Sequence, residues 1–539
     1  MPVLTAIDTL GLQRYIFSSN RLRDVVAASW AVDKVTSASR LLQLPGAAAL
    51  SREAVLLSAG GNASIEFSTL EAAHAWTAHY TRWVGDEAPG LEIAIAHHSY
   101  SEGGLAEALE QSQRALVFAK LRRRPSTPQL GLSVTASCTV TGLPATLRSE
   151  DGELLSPGVG RMRETWPDAK DHWASFLPQL PLAPGAQLAF PDELDRMGRS
   201  EGDLSQIGVV HIDGNDVGGR IQRWLEHCRN VRVPDAEVRA QCRAWSAGLN
   251  ELGRSVLRAM VEQVVAAVQV SDRGYVLAGA PSELGFPLHT EREVVWLPLR
   301  PILLGGDDFT FVCDGRIALS LAARALQVFR EHSIAHLGER GDDTHLSACA
   351  GVALGRAHAP FHRSYELAAA LCESAKSAKR EAGPRDGSWL DWHVGATRPG
   401  ETVQSIRQRQ YKMGQGADER RLTLRPYPLD AASGRTETWS WLEEELLGSS
   451  DSAKGLRGED GWLRSRNRVK DLRRLAWDGE RAIERQLAAW NVSLPGGLAS
   501  SGFRGAGTPL LDAIELLDVH LRLATTGGRG RSPAKGSGC

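Results

Sequence analysis

The chain has 539 residues, a formal net charge of −2, 42% hydrophobic and 23% charged residues, ordinary values for a globular protein that leave only a local basic patch for any nucleic-acid partner. Seven cysteines, an odd number without a C-x-x-C pair, argue against a disulfide framework and a zinc ribbon. Asp8 and Arg14 interrupt the first apolar stretch and no run approaches the ~18 apolar residues of a membrane span, so the reading is a cytoplasmic protein of several domains, with no membrane partner.

In chain order, residues 1–121 predict a strand from Val3 to Ile7 ending at Asp8, a helical stretch from about Leu22 to Leu42, and a strand from Ala54 to Ser58. The turn Ala59-Gly60-Gly61-Asn62 follows, then a strand to Phe67, a helix near Thr69 to Val84, a strand from Leu91 to His97 and a helix from Gly104 to Leu121. That order is βαββαβα. Residues 122–204, rich in Pro and Gly, read as a connector with a small subdomain. Residues 205–400 repeat the first block: a strand from Ile207 to Ile212 ending at Asp213, a glycine-bearing loop, a long helix from about Asp235 to Val268, a hairpin, then helix, strand, helix and strand to Val394. Repetition of βαββαβ predicts two copies of one unit in an α+β protein. Residues 401–526 read as helical (Trp439 to Leu447, Trp462 to Trp490, Pro509 to Leu523), and 527–539 as a disordered tail.

The hairpin of the second block, PILLGGDDFTFVCDG from Pro301 to Gly315, places two carboxylates at a turn between apolar strands. Such a charged pair is costly without compensation. In a βαββαβ sheet the first strand lies beside the hairpin, so Asp213 can join Asp307 and Asp308. Clustered carboxylates repel, and hard oxygen donors select Mg²⁺ or Mn²⁺; two such ions suit in-line phosphoryl transfer. Gly305 and Gly306 clear space for a ligand at the backbone. The loop from Asp213 to Gly219, Gly218 included, offers amides to phosphates. Lys376 and Lys379 share a predicted helix face. Taken singly, a GGDD turn is equally a solvated hairpin tip, and paired lysines are more often a solvated helix face. Their joint order on one template favours the metal site.

The segments HIDGNDVGG, LPLRPILLGGDDFTFVCDG, SACAGVALGRAHAPFHRSYELAAALCESAK and SWLDWHVG, most of Gln206 to Gly395, resemble the palm domain of nucleotidyl cyclases and polymerases. They are most similar to the large palm-bearing subunit of type III CRISPR effector complexes, the cyclic oligoadenylate synthase; GGDEF diguanylate cyclases are more distant. The resemblance implies two ferredoxin-like palms and a C-terminal helical domain. It implies Mg²⁺ or Mn²⁺ at Asp213, Asp307 and Asp308, ATP as substrate, Lys376 and Lys379 at the triphosphate, and guide or target RNA and effector subunits as partners. One departure is Asp213-Gly214-Asn215-Asp216-Val217-Gly218, where the family reads D-x-D-x-x-G: the second acid has moved by one place. The opening IDTLGLQRYIFSSNRLRDVVAAS looks like the family's first palm. Its tip, Gly60-Gly61-Asn62-Ala63, carries no carboxylate, so it is read as non-catalytic, with Gly60 and Gly61 on the nucleotide side of a two-nucleotide pocket or merely in a tight hairpin.

The family's zinc region keeps Cys138, but Thr141 stands where a second thiol would be, and no His-Asp dipeptide marks an HD nuclease. Neither bound zinc nor DNA cleavage is expected. The run Arg464, Arg466, Arg468, Lys470, Arg473, Arg474 suits RNA, an acidic partner or solvent alone. The alternative to an enzyme is a non-catalytic nucleotide- and RNA-binding subunit.

Overall fold

The computed structural model describes all residues except 46–49, 124–131, 133, 179–185, 199–205, 273, 338–344, 358, 384–386, 399, 416–418, 431–435, 449–453, 459–461, 463–465 and 525–539. The expected tail, 527–539, and Arg464 lie outside the described residues. The chain is a mixed α+β structure with several sheets.

The first block contains β1 (Val3–Leu10), α1 (Leu22–Thr36), β2 (Val55–Ala59), β3 (Asn62–Phe67), α2 (Leu70–Glu87), β4 (Glu92–Ser99) and α3 (Leu105–Arg122). Its antiparallel sheet has the order β2-β3-β1-β4. β1 is buried along nearly its whole length because helices cover both of its faces, so its apolar residues fall on both faces instead of at alternate positions.

The second block contains β5 (Gln206–Gly214), α4 (Val217–Val231), α5 (Asp235–Ala266), β6 (Leu299–Gly305), β7 (Asp308–Asp314), α6 (Ala318–Glu331), β8 (Ala348–Arg356), α7 (Phe361–Ala382) and β9 (Trp389–Val394). Its sheet order is β6-β7-β5-β8-β9, continued by a two-residue strand, Tyr427–Pro428. The first four strands repeat the antiparallel order of the first block; β9 runs parallel to β8. In α5 the buried residues Val238, Cys242, Trp245, Leu249, Leu252 and Val256 recur every three or four positions, the stripe that made this helix visible in the sequence.

The repetition extends to the irregularities. The register slips between Val55 and Leu57 in the first hairpin and between Pro301 and Leu303 in the second. Beyond each slip Ala59 pairs with Asn62 and Gly305 with Asp308, while Asp8 faces Asn62 and Asp213 faces Asp308. The amide of Thr9 donates to the Gly61 carbonyl at 3.0 Å, as that of Gly214 does to Asp307 at 3.0 Å. Matching the two tips by their glycine pairs is therefore wrong by one position. Gly61 stands at the place of Asp307 and Asn62 at that of Asp308.

Three further differences from the sequence reading have local causes. The single long helix is preceded by a separate α4, divided from α5 by Pro234 and by Arg232 at φ 58. Five strands of two to four residues lie between α5 and β6, too short for a period-two pattern to register. The helix read from Trp462 to Trp490 is two, Arg466–Asp478 and Glu480–Trp490, broken at Gly479 with φ 94. Among the described residues no helix is long and apolar enough to cross a membrane.

The blocks clasp each other. Ser246 on α5 accepts from the Ser58 amide at 3.0 Å, and Asn250 donates to the Ser58 carbonyl at 2.9 Å. Asp235, at the start of α5, accepts from the amides of Gly103 and Leu105 at 2.8 and 3.0 Å, capping α3; a carboxylate there also suits the helix dipole. The glycine turns meet between the blocks: a Cβ added to Gly60 would lie 2.7 Å from the Gly305 carbonyl oxygen. Downstream, the buried Arg425 pairs with Asp512 at 2.8 Å and Glu515 at 3.1 Å and donates to the Trp392 carbonyl at 3.1 Å, tying the C-terminal region to β9.

α7 approaches β8 closely because Gly351 has no side chain: a Cβ there would run into the Ala368 carbonyl oxygen and the Cys372 nitrogen. Gly351→Ala is expected to destabilise the chain by about 1–3 kcal/mol, the usual cost of overpacking. Gly355→Ala, where a Cβ meets nothing within 4 Å, is the control. Equal denaturant midpoints for the two variants would mean that α7 is not seated on the sheet in this way.

Candidate functional site

Asp213 is near the end of β5 and Asp308 opens β7. The two are directly opposite in register, so their side chains emerge on the same face. Asp307 sits at the turn, pressed against Gly214: a Cβ on Gly214 would lie 2.8 Å from the Asp307 Cβ. That face is covered by α7, whose Lys376 places Nζ 2.6 Å from Asp213 Oδ2 and donates to the Gly214 carbonyl at 3.3 Å. The structure thus sets Asp213, Asp308 and Lys376 side by side, with Asp307 at the adjoining turn. Lys379 lies three residues further along α7.

The other sequence candidates fall elsewhere. Gly218 is in the first turn of α4, with open space where a Cβ would stand. Gly60, Gly61, Gly305 and Gly306 line a cavity together with Trp30, Asp33, His172, Trp173 and Arg254. The shifted acid loop is resolved by geometry. Asn215 turns inward, donating to Ser347 Oγ at 2.9 Å and the Gly387 carbonyl at 3.3 Å, whereas Asp216, at φ 57, pairs with Arg223 at 2.7 Å. Neither joins the carboxylate group. Cys138 is buried against Leu155 and Val159. In the basic run, Arg468 lies 5.7 Å over the Trp490 ring and Arg474 is 3.5 Å from Asp478.

Two residues were missed in the sequence. His211 is two positions before Asp213 and therefore on its face, which the alternation of a strand could have shown. Its Nδ1 is 3.1 Å from Thr310 Oγ1 and 3.4 Å from Asp308 Oδ1. Burial pushes this imidazole down to about 4, so near neutral pH it carries no charge. The Tyr365 ring packs edge-on to it at 5.4 Å, and the Tyr365 hydroxyl takes a hydrogen bond from Gln13 of the first block at 3.3 Å. The second missed residue is Lys120 on α3, which pairs with Asp8. This is the same bridge that Lys376 makes with Asp213, in the corresponding place of the repeat.

The side chains of Asp213 and Asp308 are each 40% exposed, yet hemmed in by the sheet and α7. Burial, then repulsion from Asp213, pushes Asp307 up to about 6 and Asp308 up to about 7. Burial opposes charge on Lys376, but its hydrogen bond and attraction to Asp213 outweigh this and hold the ammonium above its ordinary value. Asp308 Oδ1 is shut from solvent and accepts no hydrogen bond. In this arrangement the three carboxylates do not converge: among the described residues no group of three or more His, Cys, Asp or Glu side chains is set to hold a metal ion.

No protein-family model and no curated protein matches the chain. Solved structures do. A chain of the crystal structure of a Csm1-Csm4 cassette in complex with cA3 matches with a TM-score of 0.51 at 14% identity over 97% of this chain and 70% of that one. The cassette in complex with cA4 gives a TM-score of 0.43 at 15% identity, over 74% of this chain and 54% of that one. The Csm1-Csm4 subcomplex in the type III-A CRISPR-Csm interference complex gives 0.42 at 16%, over 96% and 70%. The likeness is one of fold. In the cA4 structure the match spans only about half of the longer chain.

Because Asp307 and Asp308 are raised on folding, the folded state holds their protons to higher pH than the unfolded chain does. Stability from this source is present below about pH 4 and is lost as pH rises toward about 7. Asp307→Asn with Asp308→Asn is expected to melt higher than the wild type at about pH 8 in a chelator and to lose that advantage below about pH 4. A variant less stable than the wild type at the higher pH would show that these carboxylates are not strained by their surroundings.

Proposed function

We propose that the chain is a metal-dependent nucleotidyltransferase built on two ferredoxin-like palms, of which the second is catalytic. It joins ATP into cyclic or linear oligoadenylates, second messengers of a type III CRISPR-like antiviral defence. The observation that carries this reading is the pairing of Asp213 with Asp308 on adjacent strands: two partly exposed carboxylates forced together beside α7, with a third at the turn and one buried oxygen unsatisfied. The fold shared with a Csm1-Csm4 cassette solved with cA3 supports the nucleotide class.

The donor set is all oxygen and fits Mg²⁺ or Mn²⁺, with Asp213, Asp307 and Asp308 as the residues that would hold it. Such a cation, when bound, supplies charge stabilisation to the transferring phosphoryl group. The chain's own residues do the remaining work. Lys376 and Lys379 bring ammonium groups to the triphosphate. The start of α4 at Gly218 offers backbone amides to an anion. His211, neutral and hydrogen-bonded to Thr310, keeps the Asp308 carboxylate company without neutralising it. In the first block Asn62 and Gly61 replace the two acids and Lys120 neutralises Asp8, so that block is assigned the acceptor nucleotide, with effector subunits and guide or target RNA as partners of the assembly. Where the turns of Gly60 and Gly305 touch, bulk at Gly60 disturbs the junction itself as well as any ligand beside it.

A second reading has one observation in its favour: the carboxylates do not converge, and Lys376 already neutralises Asp213. On it the chain is a nucleotide- and RNA-binding subunit without turnover. The readings separate by mass spectrometry of products from each nucleoside triphosphate with Mn²⁺, with and without activating RNA. Asp307→Ala with Asp308→Ala is expected to lower pyrophosphate release at least ~100-fold while the chain stays folded, because charge stabilisation by a metal is worth several kcal/mol. Near wild-type turnover in that variant ends the two-metal reading, and a wild type inert with every substrate favours the binding subunit.

A further inference from the structure

Resting on the metal-dependent reading, we propose that the Lys376 ammonium and the divalent cation share one seat: Lys376 holds Asp213 and the Gly214 carbonyl when no cation is bound, and is displaced toward the substrate phosphates when one enters. The two oxygens that Lys376 touches, Asp213 Oδ2 at 2.6 Å and the Gly214 carbonyl at 3.3 Å, are hard donors of the kind a Mg²⁺ or Mn²⁺ ion takes. An ammonium and a dication cannot hold the same oxygens, since like charges at contact distance repel strongly. The Lys376 side chain is only 18% exposed, so its charge is committed to the cleft while it stays. Its four-carbon stem lets the charge swing without moving α7.

The first block supplies an independent observation. Lys120 makes the same bridge to Asp8 from the matching helix, but Asn62 stands opposite Asp8 where Asp308 stands opposite Asp213. One ammonium there meets one carboxylate, and the pair is complete. In the second block one ammonium touches Asp213 with two further carboxylates, Asp307 and Asp308, nearby, and Asp308 keeps a buried oxygen without a hydrogen bond. The same lysine is thus a permanent counter-ion in the first block and a replaceable one in the second. The exchange gives Lys376 two consecutive roles: it keeps the acidic cleft folded before the cation arrives, and it carries positive charge to the phosphates afterwards.

The test uses the full chain and Mn²⁺ alone. Acylation of lysines by an activated ester, mapped by mass spectrometry, is expected to rise several-fold at Lys376 on saturation with Mn²⁺ and to stay unchanged at Lys120. Calorimetric titration is expected to show Mn²⁺ binding at least ~10-fold tighter in Lys376→Met, from which the competing charge is gone, and no binding in Asp307→Ala with Asp308→Ala. Unchanged labelling of Lys376 at saturating Mn²⁺, or unchanged or weaker binding by Lys376→Met while the double alanine variant loses it, overturns the shared seat and leaves the metal site standing. Absence of Mn²⁺ binding from both the wild type and Lys376→Met overturns the metal reading and the exchange with it. If Lys376→Met does not fold, the labelling of the wild-type chain decides by itself.

Discussion

Two carboxylates, Asp213 and Asp308, face each other across adjacent antiparallel strands. Like charges directly opposite destabilise a sheet, and the surroundings of this pair follow from that constraint. β5 and β7 are buried almost throughout, and it is this apolar burial that holds the carboxylates in register against their repulsion. Gly214 and Gly305 remove side chains where Asp307 and the opposing turn must fit. Gly351 lets α7 come close enough for Lys376 to reach Asp213. The cost is carried in the raised pKa values of Asp307 and Asp308, the kind of perturbation that concentrates where a site binds or reacts.

The two blocks show how one architecture yields opposite electrostatics. Strand order, hairpin bulge, turn amide contact and lysine bridge all recur. The turn residues differ: Gly61 and Asn62 in one, Asp307 and Asp308 in the other. In the first block the charges cancel and the turn closes quietly. In the second they accumulate. The reciprocal clasp of α5 on β2 and of Asp235 on the start of α3 sets the neutral turn beside the acidic one, and the Gln13 contact to Tyr365 carries the first block to the edge of the acidic cleft.

Far from the cleft, a different use of charge secures the sheet. Arg425, in the segment before Tyr427, joins Asp391 of β9, Arg407, Asp512 and Glu515 in a largely buried group. Buried ions need partners on every side to be tolerated, and Arg425 has carboxylates, a carbonyl and the rings of Trp392 and Tyr411 around it. In the acidic cleft three carboxylates stand near one ammonium, which touches Asp213, and that excess of negative charge distinguishes a site with room for another cation from a structural ion network.

The elements bearing the repeat were legible in the sequence because long apolar runs and a three-to-four-residue stripe survive without tertiary information: β1, β5, β7, α5 and α7 all stand where their patterns put them. Strand order in a βαββαβ unit likewise made Asp213 a neighbour of the hairpin, and Asp308 is its partner in register; that the three carboxylates stop short of a common point was not legible. The strands of two to four residues between α5 and β6, and the sixth strand at Tyr427–Pro428, were not legible, because so short a segment carries no period. Nor was the one-place offset between the two turns: glycine pairs align by identity, whereas the bulge that decides which residue faces Asp8 or Asp213 is a property of the paired strands. His211 was within reach of simple alternation. Lys120 was not, because nothing in the sequence ties the one lysine of α3 to Asp8 until the helix is laid on the sheet and its ammonium meets that carboxylate. Composition and pattern determined which acids gather; only the packing of α7 and α3 decided which cations answer them, because that depends on distances between segments separated by more than a hundred residues of chain.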